Sequence, residues 1–525
     1  MKRNTVLFLL FSLMFVTAFG QSKQYNRQQK NTFEDADSYY VYGDYYTASK
    51  LFLEIYDVDP DFREINYKLG DALFQLDEFD EALPYLEKGI GFNLDAHYQV
   101  AQIHLYQGNL QACREVIEDF KNIIEPKKSQ YNFQDLNRLL EKTQVAERMM
   151  LNPEVVNIIN LGKKVNSKND EYVPLIASDE SVMIFTSRRL REGNELDPSG
   201  QPFEDIYISM HVDGEWTKAK PIPGDVNTDV HDACVGLSPD GERLFVYRSN
   251  DNLIGGDIYE SFNKDGLWTT PVRMGEEINN YETIEPSASL SLDGKTFYFS
   301  SNREGGFGGF DLYRVKLLPN GEWSKAKNLG PTINTPYDDD APFIHPNGKT
   351  LYFSSKGHKN MGGFDVFKSE LQEEEKWSEP ENLGYPTNTT KDDIYFVISA
   401  NEQHGYYASD KSGGFGEHDL YMIDYLEKEL RQSVIRGKVV DAKSGKAIQS
   451  DISLIELESG ELSGAYRTNQ QTGSFIFLVN PNVEYDLIIE ANGYQELMEP
   501  ILYQVEDLQK EQNKTFKLKP TPSEP

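Results

Sequence analysis

The chain has 525 residues and a formal net charge of −33, with 85 acidic side chains against 52 basic ones and two cysteines. A chain of this length exceeds a single hydrophobic core and predicts several domains. A negative field of this size repels phosphate backbones and acidic lipids, which excludes nucleic acid as a partner. Cys113 and Cys234 fall in different predicted domains, so the sequence predicts neither a disulfide scaffold nor a zinc cluster.

Residues 1–20 have the pattern of a secretory signal peptide, with Lys2 and Arg3 before an apolar run from Val6 to Val16. The apolar run is shorter than the ~20 residues that a membrane span needs, which disfavours the alternative of a retained anchor. We therefore expect an exported protein, cleaved after Gly20, with no transmembrane segment in the mature chain.

Helical spacing of apolar residues continues to Leu151, and we assign residues 21–151 to a helical domain. The segment from Gly43 to Ala48 recurs at Asp77 to Ala82 and at Gly108 to Cys113, at steps of 34 and 31 residues. A period of this length is typical of helix-turn-helix solenoids.

These segments resemble the tetratricopeptide repeat family. The small residues Ala36, Gly70 and Ala101 take one helix-crossing position, Ala48 and Ala82 the second, and Cys113 replaces the usual Ala there. The resemblance implies an inner wall that binds an extended peptide or a partner helix. Its residues would be Phe33, Tyr40, Tyr67, Phe74, Tyr98, Leu105 and Tyr106. The alternatives are that these side chains only pack on the next helix, or that the array is a spacer.

Residues 152–426 repeat a second unit, in which Asp-aliphatic-aromatic triplets step by 52, 54, 54 and 54 residues. The triplets begin at Asp205, Asp257, Asp311, Asp365 and Asp419, and the four tryptophans take one common place, at Trp216, Trp268, Trp323 and Trp377. One unit predicts strands at Ala341 to His345, Thr350 to Ser354, Phe364 to Ser369 and Trp377 to Leu383, with Asn347-Gly348 in a hairpin that needs positive φ. Four such strands are a β-propeller blade.

The last of these units ends soon after Tyr421 without a Trp strand, while Val155 to Gly162 matches the end of a full unit at Lys327 to Gly330. We predict that this early segment completes the last blade, because closing the ring removes the unpaired sheet edges of an open array. The expected propeller has five blades, and the alternative has six.

Residues 433–519 alternate apolar and polar side chains over short strands, which predicts a small β-sandwich. The segments Gly437 to Asp441, Thr472 to Phe475 and Ala491 to Tyr494 resemble the carboxypeptidase regulatory-like, transthyretin-type domain, and such domains are usually non-catalytic contact modules. Residues 520–525 predict a disordered tail. The predicted fold class is thus multidomain, with an α-solenoid, a β-propeller and a transthyretin-like β-sandwich.

Acidic residues precede the innermost strand of each predicted blade, where they would gather near one mouth of the central channel. They are Asp170, Glu171, Asp232, Glu282, Glu285, Asp338, Asp339, Asp340, Asp392 and Asp393. A partly buried ring of carboxylates could bind a divalent cation or a basic side chain. The alternative is that they are solvated or bonded between blades, since the Asp-x-Asp-x-Asp-Gly calcium loop is absent from the sequence.

The sequence shows no catalytic constellation. The eight histidines have no metal-ligand spacing, and the His-Glu-x-x-His, Gly-x-Ser-x-Gly and P-loop motifs are absent in the required context. The prominent acids follow the repeat, whereas catalysis places different groups around one substrate. We therefore predict a protein that is not an enzyme, with no catalytic residue, no cofactor and no assigned metal site.

The blade signature resembles the WD40-like (PD40) repeat of TolB-type propellers. The order of modules is similar to that of cell-envelope proteins of type IX secretion and gliding systems, which usually continue into an OmpA-like peptidoglycan-binding domain; this sequence reaches Pro525 without one, so peptidoglycan anchoring is not carried over. The resemblance implies a periplasmic, outer-membrane-associated scaffold that binds envelope proteins, such as an outer-membrane β-barrel or an OmpA-like protein. The alternatives are a glycan-binding or glycan-processing propeller and a cation-dependent structural propeller.

Overall fold

The computed structural model describes residues 25–125, 128–190, 196–197, 201–250, 255–280, 282–411, 413–416, 418–426, 433–469, 472–504 and 513–521. The predicted signal peptide lies outside these residues. The chain divides into two compact units, the first ending at Arg148 and the second beginning at Met149. Within the described ranges, no helix combines the length and the apolarity that crossing a bilayer requires.

The described part of the first unit is helical, and its consecutive helices pack in pairs. The helices are α1 (Arg27–Val41), α2 (Tyr45–Tyr56), α3 (Arg63–Gln75), α4 (Phe79–Gly89), α5 (Asp95–Tyr106), α6 (Leu110–Ile123) and α7 (Phe133–Leu151), the last of which runs past the unit boundary. Asn26 starts α1 with a capping box, and the Asp44 carboxylate starts α2 by accepting the Thr47 N–H at 3.0 Å. Such caps satisfy donors that a helix terminus leaves without partners.

Small side chains allow these helices to approach closely. The predicted crossing positions are all buried: Ala36, Ala48, Gly70, Ala82, Ala101 and Cys113. A Cβ atom on Gly70 would lie 2.8 Å from the backbone nitrogen of Leu86, so this position tolerates only glycine without a shift of α4. The repeat pattern in the sequence therefore reflects contact distances between neighbouring helices.

The described part of the second unit begins with five antiparallel sheets in chain order, of which the fifth also includes the early strand β1 (Asn157–Asn160). The first has β2 (Glu171–Ile176), β3 (Val182–Ser187), β4 (Asp205–Val212), β5 (Glu215–Trp216) and β6 (Lys220–Pro221). The second has β7 (Asp232–Leu237), β8 (Arg243–Ser249), β9 (Gly256–Lys264), β10 (Leu267–Trp268) and β11 (Val272–Arg273). The third has β12 (Ala288–Leu290), β13 (Thr296–Ser301), β14 (Asp311–Lys316) and β15 (Lys327–Asn328). The fourth has β16 (Asp339–Ile344), β17 (Thr350–Ser355), β18 (Asp365–Glu370) and β19 (Glu381–Asn382), and the fifth has β20 (Ile394–Ile398), β21 (His404–Ser409) and β22 (Asp419–Asp424).

These sheets form a closed, propeller-like ring. The innermost strands β2, β7, β12, β16 and β20 each lie beside the next, and β20 lies beside β2. Strand β1 pairs with β22, with Asn157 opposite Asp424 and Asn160 opposite Tyr421. The early segment thus supplies the outer strand of the fifth sheet, and the ends of the ring are joined by hydrogen bonds.

The outermost strands are shorter than the sequence predicted. In the fourth sheet only Glu381–Asn382 pairs with β18, and Trp377 makes a single bridge to Leu371. Trp377 is a buried core residue, so its recurrence in the sequence reports packing between sheets and not a continuous ladder. The hairpin between the first two strands has Gly348 at φ +69°, as the Asn-Gly pair predicted.

One asparagine before each innermost strand ties consecutive sheets together. In each case the side-chain oxygen accepts a backbone N–H of the preceding sheet at 2.7–2.8 Å, and the side-chain nitrogen donates to the carbonyl of the same residue at 2.8–3.0 Å. The pairs are Asn166 with Leu420, Asn227 with Ile206, Asn279 with Ile258, Asn334 with Leu312 and Asn388 with Val366. Asn166 therefore joins the start of the first sheet to the fifth.

Two further sheets share one apolar core at the C-terminal end of this unit. One contains β23 (Ser433–Asp441), β26 (Ser474–Val479) and β29 (Asn513–Leu518), and the other contains β24 (Asp451–Glu456), β25 (Leu462–Arg467), β27 (Glu484–Glu490) and β28 (Leu497–Leu502). Pro520 bridges to Tyr494, and the Thr521 N–H donates to the Gly493 carbonyl at 2.9 Å. Of the tail predicted from residue 520, these two residues are described, and residues 522–525 lie outside the described part.

Arg436 attaches these sheets to the ring. Its Nε lies 2.9 Å from the Asp179 carboxylate, and its Nη1 donates to the Asp240 carbonyl at 3.1 Å. The Thr472 hydroxyl also donates to the Glu242 carboxylate. All three acceptors lie in hairpins between the first two strands of a sheet, so the C-terminal sheets sit on the hairpin face of the ring.

Replacing Asn166 with Ala should destabilise the ring by about 2–4 kcal/mol, because it removes three hydrogen bonds and leaves the buried N–H of Leu420 without its partner, whereas the Leu420 carbonyl keeps the Leu161 N–H at 3.1 Å. All four tryptophans lie in the ring, so denaturation followed by tryptophan fluorescence reports on this part of the molecule. Asn320→Ala, in an exposed turn, is the control and should change stability by less than about 0.5 kcal/mol. Equal effects of the two substitutions would contradict the assigned role of Asn166.

Candidate functional site

The residues predicted for the inner wall all lie on the first helix of a pair. Phe33 and Tyr40 are on α1, Tyr67 and Phe74 on α3, and Tyr98, Leu105 and Tyr106 on α5. Tyr67 and Leu105 are buried, and the other five are half-buried. The structure therefore aligns the set as the repeat register requires, with its aromatic edges partly open to solvent.

Each of these rings also packs on a neighbour within the unit. Tyr98 stacks on Tyr131 with ring centres 3.8 Å apart, and Tyr106 meets Phe79 edge-on at 4.7 Å. Phe79 also contacts Phe74 at 5.3 Å. The same aromatic side chains therefore pack on a neighbour within the unit and form the inner wall. A ring that packs through one face can still present its edge to a ligand.

Asp71 connects three repeats at the centre of this wall. Its carboxylate, 6% exposed, accepts hydrogen bonds from the Tyr40 hydroxyl on α1, from Gln99 Nε2 on α5 at 2.5 Å, and from Gln75 Nε2 at 3.2 Å. Burial and the Asp71 charge raise the pKa of Tyr40, which keeps its hydroxyl protonated as a donor. A single carboxylate thus holds the three first helices in register.

Further polar contacts extend this network to both ends of the wall. Lys68 on α3 pairs with Asp37 on α1 and with Glu64 at 3.0 Å. Asp95, the first residue of α5, accepts the hydroxyl of Ser129 from the loop before α7 at 2.5 Å. The wall is therefore preorganised, which lowers the conformational cost of binding a partner.

The acids predicted to ring the channel are instead bonded within the sheets. Five of them take equivalent places and are fully buried: Glu171, Asp232, Glu285, Asp339 and Asp393. Four accept both the N–H and the hydroxyl of the Ser or Thr four residues earlier, as Asp339 does from Thr335 at 2.5 and 2.9 Å. Glu285 accepts the hydroxyl of Thr283 at 2.7 Å. These carboxylates close a turn before the innermost strand and do not face the channel.

In the first three sheets an arginine neutralises this carboxylate. Arg189 lies 3.0 Å from Glu171, Arg248 lies 2.6 Å from Asp232, and Arg303 lies 3.3 Å from Glu285. Each guanidinium also donates to a backbone carbonyl before the strand, of Val165, Val226 or Ile278. The cation therefore links the end of the second strand to the loop that enters the sheet.

The fourth and fifth sheets lack this arginine. Gly357 stands at the position in the fourth sheet, and the neighbouring His358 ring takes over the carbonyl contact, to Ile333 at 2.8 Å. Burial raises the pKa of Asp339 to about 7. In the fifth sheet Lys411 stands at this position, and burial and repulsion from Asp365 raise the pKa of Asp393. Charge compensation is thus uneven around the ring.

The other predicted channel acids differ in place and role. Asp170 and Asp392 accept a backbone N–H of the preceding sheet, from His418 at 2.9 Å and Phe364 at 2.7 Å. Asp340 is buried and accepts the Ser287 and Ser300 hydroxyls of the third sheet, while Glu282 is exposed. Asp338 accepts the Phe310 N–H at 3.2 Å. Most of these acids therefore bond between sheets, which was the alternative open at the sequence level.

The channel itself is narrow and apolar. It holds a cavity of about 30 Å³ lined by innermost-strand residues, among them Val173, Leu175, Leu237, Phe343 and Val397. Among the described residues, no three His, Cys, Asp or Glu side chains come together as a metal site. The five buried acids do not line this cavity, and the gathering of acids near one mouth of the channel stays a prediction.

A polar cluster that breaks the repeat was not predicted from the sequence. Glu204 accepts the Tyr172 hydroxyl, pairs with Arg188 at 2.8 Å and lies 3.4 Å from His231. Burial opposes ionisation here, but His231 and Arg188 lower the pKa of Glu204. The available signal was Glu204 itself, which stands directly before Asp205, where the third and fourth units have Phe310 and Phe364.

The comparisons with known proteins match separate parts of the chain. A family model for the tetratricopeptide repeat matches residues 64–95. Among curated proteins no significant match exists. The helical repeats of the first unit are therefore tetratricopeptide-like.

Solved structures resemble the chain at low identity. A protein described as TolB from Agrobacterium tumefaciens is 18% identical, with 52% of this chain and 97% of that one covered, at a TM-score of 0.27. An endo-arabinase from Bacteroides thetaiotaomicron is 14% identical, with 51% and 96% covered, at 0.33. The first tetratricopeptide domain of Spaghetti, bound to an HSP90 peptide, is 19% identical, with 24% and 99% covered, at 0.21.

Replacing Asp339 with Asn should remove a pH-dependent loss of stability. The folded pKa of about 7 lies above the ordinary value of ~3.9, so the stabilising protonated form is complete below pH ~4 and is lost as the pH rises through 7. The variant should match the wild type below pH ~4, become relatively more stable as the pH rises from ~4 to 7, by up to ~1.4 kcal/mol per pH unit, and keep a constant advantage above pH 7. Denaturation at several pH values measures this difference.

Asp232→Asn is the matched control, because it removes the same carboxylate where Arg248 compensates it. This substitution leaves a buried cation without its partner and should cost about 3 kcal/mol at neutral pH. Parallel pH profiles for Asp339→Asn and the wild type would show that Asp339 is ionised normally in the folded protein.

Proposed function

We propose that the protein is a non-catalytic scaffold or adaptor that binds other proteins through the inner wall of its helical repeats. The observation that carries this proposal is the wall centred on Asp71, where hydrogen bonds fix three repeats and leave aromatic edges half-exposed. A preorganised, partly aromatic surface is suited to an extended peptide or a helix, since little side-chain freedom remains to be lost on binding.

The five sheets are proposed to be a five-bladed propeller of the TolB type, and the two C-terminal sheets a transthyretin-type sandwich. The cyclic order of the innermost strands and the pairing of β1 with β22 support the first assignment. The core shared by the two C-terminal sheets supports the second. In this proposal both modules offer contact surfaces, and the sandwich has a fixed position on the hairpin face.

The proposed setting is the cell envelope, in the periplasm and associated with the outer membrane. The predicted signal peptide and the net charge of −33 support an exported protein that does not bind nucleic acid. The proposed partners are envelope proteins, including an outer-membrane β-barrel or an OmpA-like protein of a type IX secretion-like assembly.

The way in which the repeated acids are bonded supports a non-catalytic role. Glu171, Asp232 and Glu285 each bind a guanidinium and hydroxyl groups in their own sheet, so their charge is used in folding. A general acid or nucleophile has to reach a substrate atom, whereas these side chains are fully buried.

A second candidate is a glycan-binding or glycan-processing propeller. The cluster of Tyr172, Arg188, Glu204 and His231 favours it, because these groups break the repeat as a site for one asymmetric ligand requires. Hydrolysis would need two carboxylates about 5–10 Å apart on either side of a sugar.

The scaffold proposal is tested by crosslinking the tagged full-length protein in intact cells and identifying attached proteins by mass spectrometry. We expect crosslinks from the helical repeats to an envelope protein. Replacing Tyr98 and Tyr106 with Ala should reduce recovery at least about tenfold, since aromatic anchors carry much of an interface. Tyr46→Ala on α2 is the control and should keep the partner; recovery of the protein alone would overturn the proposal.

The glycan candidate is tested by melting the protein with a panel of envelope and dietary glycans. A ligand at 100 times its dissociation constant stabilises the folded state by about 2.7 kcal/mol, which gives a measurable rise in melting temperature. The rise should disappear in Glu204→Gln if the cluster is the site. An unchanged melting temperature across the panel would eliminate this candidate.

A further inference from the structure

A cavity of about 610 Å³ lies between the third and fourth sheets of the ring and the C-terminal sheets. Its lining includes the cations Arg314, Lys316 and Lys349 on the ring side. The facing side is formed by β25, including Tyr466 and Leu462. Cavities of this size at the junction of two modules commonly hold small ligands.

Arg314 gives the cavity a fixed positive charge. Its side chain is only 7% exposed, and the guanidinium contacts the Tyr298 hydroxyl. A buried guanidinium needs an anion, because removal from water is costly without compensation. In this structure the anion is the carboxylate of Glu375, which bonds Arg314 and also Lys316.

Glu375 reaches that position from a strained turn. Glu374 and Glu375 both have φ +58°, a left-handed conformation that costs energy for residues with a Cβ atom. The equivalent turns of the first two sheets also have positive φ at two successive residues, Asp213-Gly214 and Asp265-Gly266. The fourth sheet therefore has Glu375 where the first two sheets have glycine, the residue that this backbone conformation favours. The turn itself does not require a carboxylate at this position.

The Glu375 side chain is half-exposed, unlike the arginine that it binds. Hydrogen bonds from Lys316 and Arg314 lower its pKa to about 2, so it is an anion at every physiological pH. A half-exposed anion is accessible from solvent, so an incoming anion can compete with it for Arg314 and Lys316.

We propose that this cavity binds a small ligand through a carboxylate group, which takes the place of Glu375 on Arg314 and Lys316. The chain itself demonstrates the required chemistry, since one carboxylate bridges a guanidinium and an ammonium at the cavity wall. Tyr298 and Tyr466 provide rings for the rest of the ligand. This site is independent of the helical wall, so either proposal can fail without the other.

The test measures binding to the full-length protein by titration calorimetry, with D-glucuronate and N-acetylglycine as probes and their uncharged amides as controls. The informative variant is Glu375→Gly, which removes the internal carboxylate and gives the turn the residue used by its sister sheets. We expect at least one of the two acids to bind this variant at least about tenfold more tightly than it binds the wild type. This corresponds to a difference of ~1.4 kcal/mol in binding free energy. The amides should give no binding.

Two further variants keep the result interpretable. Arg314→Gln should weaken binding at least about tenfold, and Lys316→Gln, at a half-exposed position, gives the same direction of change if the buried substitution unfolds the protein. Glu373→Gln, in the same turn, should bind as the wild type does. Binding of glucuronate alone would identify a sugar acid, and binding of N-acetylglycine alone a peptide terminus.

The proposal is overturned if neither acid binds the wild type or Glu375→Gly at concentrations up to about 10 mM, ten times a 1 mM dissociation constant. Equal binding of acids and amides would also overturn it, because recognition would then not depend on the carboxylate.

Discussion

The ring depends on a bidentate contact between an asparagine side chain and one backbone residue of the neighbouring sheet. The carbonyl of that backbone residue also accepts a backbone N–H, as Leu312 does from Leu329 at 3.0 Å, whereas its N–H donates to the side-chain oxygen of the asparagine. In each repeat the asparagine thus supplies the acceptor for the N–H and a second donor for the carbonyl; the five are Asn166, Asn227, Asn279, Asn334 and Asn388. Since buried backbone groups without partners cost as much as lost hydrogen bonds, these amides make the radial packing of sheets compatible with a dry interior.

Charge is distributed differently in the helical wall and in the two parts of the ring. The helical wall uses neutral donors around Asp71, the first three sheets use guanidinium groups, and the fourth and fifth sheets leave Asp339 and Asp393 with weak compensation. A repeat thus keeps its backbone geometry while its electrostatics vary from copy to copy. The departures from the repeat, at Glu204 and at Glu375, are the places where the chain carries groups that folding alone does not require.

The sequence was informative where periodicity alone decides the structure. The Asp-aliphatic-aromatic triplets placed the third strand of every sheet, and the small residues of the helices marked their crossings. The sequence prediction was wrong where a tryptophan can belong either to a strand or to the core. Trp377 predicted a long outer strand, but it is a core residue, and only Glu381–Asn382 pairs with β18. The fate of the acids was not predictable, because the cation beside Glu171 comes from Arg189, eighteen positions later and just after the end of the second strand. The cavity beside Arg314 depends on how two modules meet, which no local pattern encodes.

The strand that closes the ring is also the first one after the helical unit. Leu151 ends α7, and Asn157 begins β1, whose partner β22 lies more than 250 residues later in the chain. Any mechanical load applied through a partner of the helices therefore reaches the closing strand before it reaches the rest of the ring. The four paired residues Asn157–Asn160, the side chain of Asn160 on Asp419 and the Asn166 contact just behind them form the seam that bears such a load. Tension applied through the helices would thus act first on the joint between the two ends of the ring.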